Sequence, residues 1–443
     1  MKEINTIHPQ FKEKNLTAFA GLNPLFQYLV YRLKIFKLLD RQVTFEKKKK
    51  LYNKRDYFKI MFVFFLIGFE RLNHILLLSQ DAFVLKLLRL PRIVKPENIG
   101  RCFLKKFNFK HTYQLSQVNA NLLKKQHQQL FSGLFRNDKQ PWIIDCDSTT
   151  RDTHGHQEAT GKHYKNHTGY HPILAFVFQT KEFLHGYLRP GNTYSGNGIE
   201  AFLKETLKRL PYGVGPILFR ADSGFFNQKA FQLLENSGHF YLVAAKLYKP
   251  LMQRIVHIPD KAYRRFSDGE GAGKEITVIH YQLPSWDRAR KFVVVRTPKS
   301  TSNQLRFGGL DIEYGYQVYC TNLVMSAEEI VGCYKQRGRS ENYIKEIKQD
   351  LNMEKTTFDQ FWENEAFFQI MMLVYNCIIW FKAEYISTKE AIQERIYTFR
   401  FKYLFIPAKL KTRARKLYLD MPGNFQFRRI IQRVFLRTVC LRS

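Results

Sequence analysis

Apolar residues recur at steps of three and four through residues 25–39, 57–78 and 83–90, the spacing that gathers them on one face of a helix. The same pattern runs through 96–109 and 113–134, interspersed with Lys105, Lys106, Lys110, Lys124 and Lys125. Residues 1–135 therefore read as a helical domain. At Pro141 the texture changes. Trp142, Ile143 and Ile144 open a short apolar strand that reaches Asp145 and ends in the polar turn Asp147-Ser148-Thr149-Thr150. Strand-like runs follow at 170–179 and 183–188, then a helix at 198–210 and a strand at 216–221 ending in Asp222 and Gly224. A helix at 225–237 and a strand at 240–245 complete the series. Three strands, helix, strand, helix, strand is the order that an α/β fold with a mixed sheet requires.

Residues 247–321 read as a β-rich insertion, with apolar runs at 276–283, 291–296 and 316–321 and a loop at 268–273. Beyond it, 326–351 predicts a single helix, opened by the Ser326 and Glu329 capping pattern and interrupted by no Pro and by two glycines, Gly332 and Gly338. Helical pattern returns over 362–385. Residues 386–443 are basic and aromatic, densest at Lys409, Lys411, Arg413, Arg415 and Lys416. The organisation expected is a helical domain over 1–135, an α/β domain over 136–246 and 322–385, the insertion over 247–321, and a helical, basic C-terminal region over 386–443. Two apolar runs, 60–69 and 370–381, fall short of the roughly 20 residues a membrane span needs. They read as buried core helices.

Hydrophobic residues make up 45% of the 443 positions, enough for a large core. Against 38 acidic residues stand 71 Lys and Arg, a formal net charge of +33. Such an excess repels itself unless a polyanion neutralises it, which points first to nucleic acid, second to an acidic membrane surface, and away from a small phosphate substrate. For the N-terminal lysines, including Lys47–Lys50, a DNA-binding face and a merely solvated one are equally compatible with the pattern. The six cysteines form no C-x-x-C pair, as expected in a reducing compartment. Residues 1–14 are polar and lack the apolar stretch of a signal peptide. The location expected is cytoplasmic.

The candidate chemistry lies in carboxylates. Asp147 and Asp222 each end a strand, where ligands gather in open α/β sheets. In the predicted helix, Tyr334, Arg337, Glu341 and Lys348 are spaced three, four and seven residues apart and share one face. Two strand-end aspartates and a helix glutamate form an oxygen-only set suited to a pair of Mg²⁺ ions about 3.5–4 Å apart beside a phosphodiester, with Mn²⁺ as a substitute. Asp145 lies on the same side of its strand as Asp147 by period two, so both are candidates; Asp147, at the strand end, is preferred. His154, His156, His163, His167 and His171 fit no closed zinc spacing. Lys246, after the strand at 240–245, is a phosphate contact or an ordinary surface lysine.

Tyr334-x2-Arg337-x3-Glu341-x6-Lys348 matches, position for position, the signature of one large group of bacterial insertion-sequence transposases. Asp147-Ser148-Thr149 resembles their first-aspartate strand and Ala221-Asp222-Ser223-Gly224-Phe225 their second, and the resemblance extends over roughly residues 20–420. It implies an RNase H-like catalytic domain with Asp147, Asp222 and Glu341 as the DDE metal triad. By the same resemblance Tyr334, Arg337 and Lys348 contact phosphates near the cleaved end, and the protein acts as a homodimer in its complex with double-stranded DNA. It further implies cleavage at terminal inverted repeats, a hairpin intermediate and joining of the ends to target DNA. A flipped base would stack on an aromatic from the insertion. Trp286 is the candidate, and a core tryptophan at a strand start is the other reading. Lys409, Lys411, Arg413 and Arg415 are expected to track a DNA backbone. Two alternatives stay open: a catalytically silent DNA-binding descendant, and an aspartyl-phosphate phosphatase using Asp145-x-Asp147-x-Thr149.

Overall fold

The computed structural model describes residues 15–45, 51–131, 133, 141–163, 166–194, 196–211, 213–267, 273–298, 305–307, 310–312, 314–386, 392–414 and 416–442. Lys47–Lys50, most of the loop at 268–273, and Arg415 lie outside the described residues. The chain divides into two compact units, Met1–Leu115 with Gln349–Thr356 and Leu373–Ser443, and Ser116–Lys348 with Thr357–Met372.

The second unit is built on a nine-stranded mixed sheet. Its strands in chain order are β1 Trp142–Ser148, β2 Ile173–Val177, β3 Phe183–Tyr187, β4 Ile217–Ala221, β5 Phe240–Ala244, β6 Arg264–Phe266, β7 Lys274–Tyr281, β8 Arg290–Pro298 and β9 Tyr314–Thr321. Across the sheet they run β6-β7-β8-β9-β5-β4-β1-β2-β3. The central strands β1, β4 and β5 are parallel, and their neighbours on both sides are antiparallel. Every residue of β2 and β4 is buried, as in strands covered on both faces. The parallel strands are linked by crossover helices α1 Ile199–Lys208 and α2 Gln228–Asn236. Phe231 of α2 stacks on Tyr241 of β5 at 4.3 Å.

Residues 247–321 form strands that, apart from a two-stranded hairpin of Leu305–Phe307 and Leu310–Ile312, do not make a sheet of their own. Strand β9 pairs with β5 over Thr321↔Leu242, Cys320↔Val243 and Tyr319↔Ala244, so β6 to β9 extend the central sheet. The reason lies in β8, whose run Phe292-Val293-Val294-Val295 is buried on both faces. One core cluster joins Val293, Val295 and Ile276 to Leu218, Leu242, Ile330 and Val331.

The helix predicted over 326–351 is two helices, α3 Ala327–Lys335 and α4 Gly338–Asp350. The capping box of Ser326 and Glu329 starts α3 as expected. Between the two, Arg337 N–H donates to Tyr334 at 2.9 Å and Ser340 N–H donates to Arg337 at 2.8 Å, tight turns that break the α-helical ladder. Gly338 follows at once, and glycine's weak helix propensity makes a break there inexpensive.

In the first unit, the helix Lys54–Ile67 is capped by Asn53 and Asp56 and buried along most of its length. The helical pattern expected over 57–78 is divided at Gly68, whose φ of 87° only glycine adopts readily. Arg400 donates to the carbonyls of Phe65 and Leu66 and so satisfies the buried C-terminal end of this helix. The basic cluster near residue 410 is a hairpin of Ala408–Arg413 and Lys416–Asp420, not a helix, and a helix Arg428–Val439 follows it. Among the described residues, one helix, Phe361–Ile386, is long and apolar enough to cross a membrane, but 94% of its apolar window is buried.

A buried ion pair sets the register of the sheet's centre. Arg220 of β4 donates to both carboxylate oxygens of Asp145 on β1, at 2.7 Å each, and both side chains are almost fully buried. Ser340 of α4 donates to the same carboxylate, and Arg220 also reaches the Cys333 carbonyl. Breaking this pair strands a buried charge. Arg220→Met should therefore destabilise the protein by about 3–5 kcal/mol. The double variant Asp145→Leu/Arg220→Met should regain much of that loss, read from urea-unfolding midpoints. Equal midpoints for wild type and Arg220→Met would show that the pair contributes nothing.

Candidate active site

The parallel register pairs Asp145 with Arg220 and Cys146 with Ala221. One residue further, Asp147 and Asp222 arrive side by side at the C-terminal ends of adjacent parallel strands, where ligands bind in open sheets. Asp147 Oδ1 accepts from the Ser148 N–H at 2.8 Å, and Asp222 accepts from the Gly224 N–H at 2.9 Å, holding the turn that follows β4. Glu341 stands in the first turn of α4, with its side chain 65% exposed.

Arg337, in the break between α3 and α4, pairs with Asp147 at 2.8 Å and approaches Glu341 at 3.5 Å. It is buried, and its Nε finds no hydrogen-bond partner among the described residues. Burial pushes the Asp147 carboxyl up to about 6; Arg337 and the Ser148 N–H pull it down, while Asp222 and Glu341 push it further up. The three carboxylates thus sense one another, with a guanidinium lodged between two of them. Among the described residues, no group of three Asp, Glu, His or Cys side chains is arranged to hold a metal ion. The donor set nonetheless suits a hard cation: it is all oxygen, and it already attracts one positive charge into its midst.

Tyr334, at the end of α3, packs on Tyr319 at 4.5 Å, and burial raises its hydroxyl to about 12, so it remains a hydrogen-bond donor. Lys348 donates to the Thr150 carbonyl at 2.6 Å, which ties α4 to the turn after β1. Tyr334, Arg337, Glu341 and Lys348 therefore do not share one uninterrupted helix, yet Arg337 and Glu341 reach the strand-end aspartates' surroundings. Asp145 is separated from the site by its commitment to Arg220 and Ser340. Sequence reasoning missed Arg220; the signal was an arginine inside the apolar strand Ile217–Ala221, a buried charge that needs a partner.

Trp286 is buried at 9% exposure among Phe226, Phe231 and Phe292, with ring centroids at 5.0, 5.7 and 6.2 Å, and Arg290 lies over its ring. In this conformation it is a core residue and offers no face to a base. His163 and His167 both bond to Asp152 at 2.8 Å and brace a small sheet of Arg151–Asp152, Gly161–Lys162 and Thr168–Tyr170. Lys409, Lys411 and Arg413 lie on the hairpin of the first unit, where Lys411 pairs with Asp420.

Among solved structures, the chain is similar to a piggyBac transposase in a synaptic complex with hairpin DNA, at 12% identity and a TM-score of 0.47, over 88% of this chain and 82% of that one. No curated protein matches. The family described as "Transposase DDE domain group 1" matches residues 2–442. Nearly the whole sequence is thereby accounted for, and the chain belongs to the DDE transposase family.

Proposed function

We propose that this protein is a DNA transposase of the bacterial insertion-sequence kind, which cleaves at terminal inverted repeats and joins the freed ends to target DNA. The observation that carries the reading is the convergence of Asp147, Asp222 and Glu341, two from adjacent parallel strand ends and one from the first turn of α4. In this reading the unit with the mixed sheet is an RNase H-like catalytic domain, and the three carboxylates hold two divalent ions, Mg²⁺ or Mn²⁺. Those ions, when bound, supply charge stabilisation at the transferring phosphoryl group and lower the pKa of the attacking hydroxyl.

The chain's own residues set the conditions for that chemistry. Arg337 holds Asp147 and Glu341 in the DNA-free form, so it has to exchange them for another anion before both carboxylates are released. A backbone phosphate is the anion at hand, and arginine's planar fork binds phosphate as well as carboxylate. Tyr334, protonated, donates a hydrogen bond to the same backbone, and Lys348 adds charge from the next turns of α4. A hairpin route for the second strand remains part of the proposal, as does a homodimer on DNA. If Trp286 serves that route, it must first leave its cluster of phenylalanines. A phosphatase using Asp145 as nucleophile is disfavoured, because both oxygens of that carboxylate are held by buried Arg220.

The test is cleavage of end-labelled duplex carrying the flanking inverted repeats, with Mg²⁺. Wild type should nick at the repeat boundary. Asp147→Asn and Glu341→Gln should each lose on the order of 10²–10³-fold or more in rate while binding the same duplex within a few-fold. Binding without cutting by the wild type would instead identify a catalytically silent descendant.

A second expectation concerns stability. The folded Asp147 carboxyl sits at about 6 against an ordinary 3.8, so the native state holds its proton where the unfolded chain has lost it. Its favourable contribution is complete below about pH 4 and is lost as pH rises through about 6. Asn at this position carries no such penalty. Asp147→Asn should therefore gain stability relative to wild type as pH rises from about 4 to about 6, by roughly 1–3 kcal/mol in urea unfolding, with no further change above about pH 7. A difference that does not change with pH would show that Asp147 ionises at no disadvantage.

A further inference from the structure

The helix Arg428–Val439 of the first unit turns one face inward and leaves the other without a partner. Ile431, Val434 and Thr438 are buried at three- and four-residue steps. On the opposite side, Arg428, Arg429, Arg433 and Arg437 are all exposed. Arg429, Arg433 and Arg437 follow one another at four-residue intervals, a stripe that advances about 6 Å per step along the helix axis.

Several charges in this unit are answered from within. Arg32 pairs with Glu384, Arg55 with Asp40, Lys59 with Asp56, and Arg395 with Asp350. The helix arginines differ. Among the described residues none of the four forms an ion pair; Arg428 reaches the Gly423 carbonyl at 3.4 Å, and Arg437 lies over the Tyr385 ring at 4.8 Å. The flanking sequence supplies no carboxylate either: residues 421–443 contain five arginines and no Asp or Glu. Like charges four residues apart on a helix repel. Arg428 and Arg429 also sit at the positive end of the helix dipole, where cations are least favoured. A face that bears both repulsions unrelieved is complementary to a regular polyanion.

We propose that this helix face binds duplex DNA by its phosphate backbone, without reading sequence, as a contact distinct from the phosphate contacts of Tyr334, Arg337 and Lys348. The residue type agrees: all four cations are arginine, whose fork pairs two-pronged with phosphate and is more weakly hydrated than lysine's ammonium. Exposed Leu436, 70% accessible, lies between Arg433 and Arg437 and would rest against sugar edges beside the phosphates. The inference rests on the DNA-transposase reading for its ligand, but not on cleavage.

The experiment is fluorescence anisotropy of a labelled mixed-sequence duplex with the full chain in EDTA, which silences any cutting, over a series of salt concentrations. Each phosphate neutralised contributes about 0.9 to the slope of log K against log salt, so Arg429→Gln/Arg433→Gln/Arg437→Gln should flatten that slope by about 2–3. Affinity should fall equally for duplexes with and without the inverted repeat, and circular dichroism should show the fold retained. Should the triple variant fail to fold, single Arg433→Gln should flatten the slope by about 1. An unchanged slope in folded protein would overturn the proposal and leave this face to an acidic protein partner. Wild type that binds DNA steeply with salt but never cuts would overturn only the catalytic reading, and the helix contact would be judged by its own slope. Wild type that binds no duplex would overturn both.

Discussion

The ion pair between Asp145 and Arg220 is the constraint from which the rest of the site follows. Two buried charges of opposite sign, on neighbouring parallel strands, allow one register between β1 and β4. A slip of β4 by one residue would move Arg220 to the other face of the sheet and leave both charges unpaired. The permitted register brings Asp147 beside Asp222. The same pair takes a hydrogen bond from Ser340 and gives one to the Cys333 carbonyl, so it also anchors both sides of the break that carries Arg337. Its contribution is to specificity of arrangement more than to net stability, since a buried ion pair recovers little beyond its own desolvation.

Around that anchor the electrostatics are set in opposition. Burial and the neighbouring carboxylates Asp222 and Glu341 disfavour the charge on Asp147, and Arg337 pairs with Asp147 and approaches Glu341. The guanidinium is itself buried with one donor unmatched. Neither side is fully satisfied, which is the condition under which an incoming anion for the arginine and an incoming cation for the carboxylates each find a ready partner.

Much of this was legible along the chain, and the failures have physical causes. The alternation from helix to strand at Pro141, the strand–helix–strand series and the two strand-end aspartates were readable because local periodicity governs them. The break at Gln336 and Arg337 was not, because helix-forming residues surround it and the interactions that hold it come from Asp147, far away in sequence. The joining of β9 to β5 was hidden for the same reason: period-two pattern says that a strand exists, not which strand it pairs with. Trp286 was placed by an aromatic cluster assembled from three separate elements. Asp145 and Asp147 were equivalent by periodicity, and only the arginine opposite separates them.

That separation has an evolutionary corollary. Asp145 has the chemistry and the strand face to stand in for Asp147, but it is already engaged, so the site has no understudy two residues away. On the proposed mechanism, one base change at the Asp147 codon would silence a copy of the element outright while its protein went on folding and occupying DNA. Such a copy would persist in a genome as a competitor of its active siblings, not as debris.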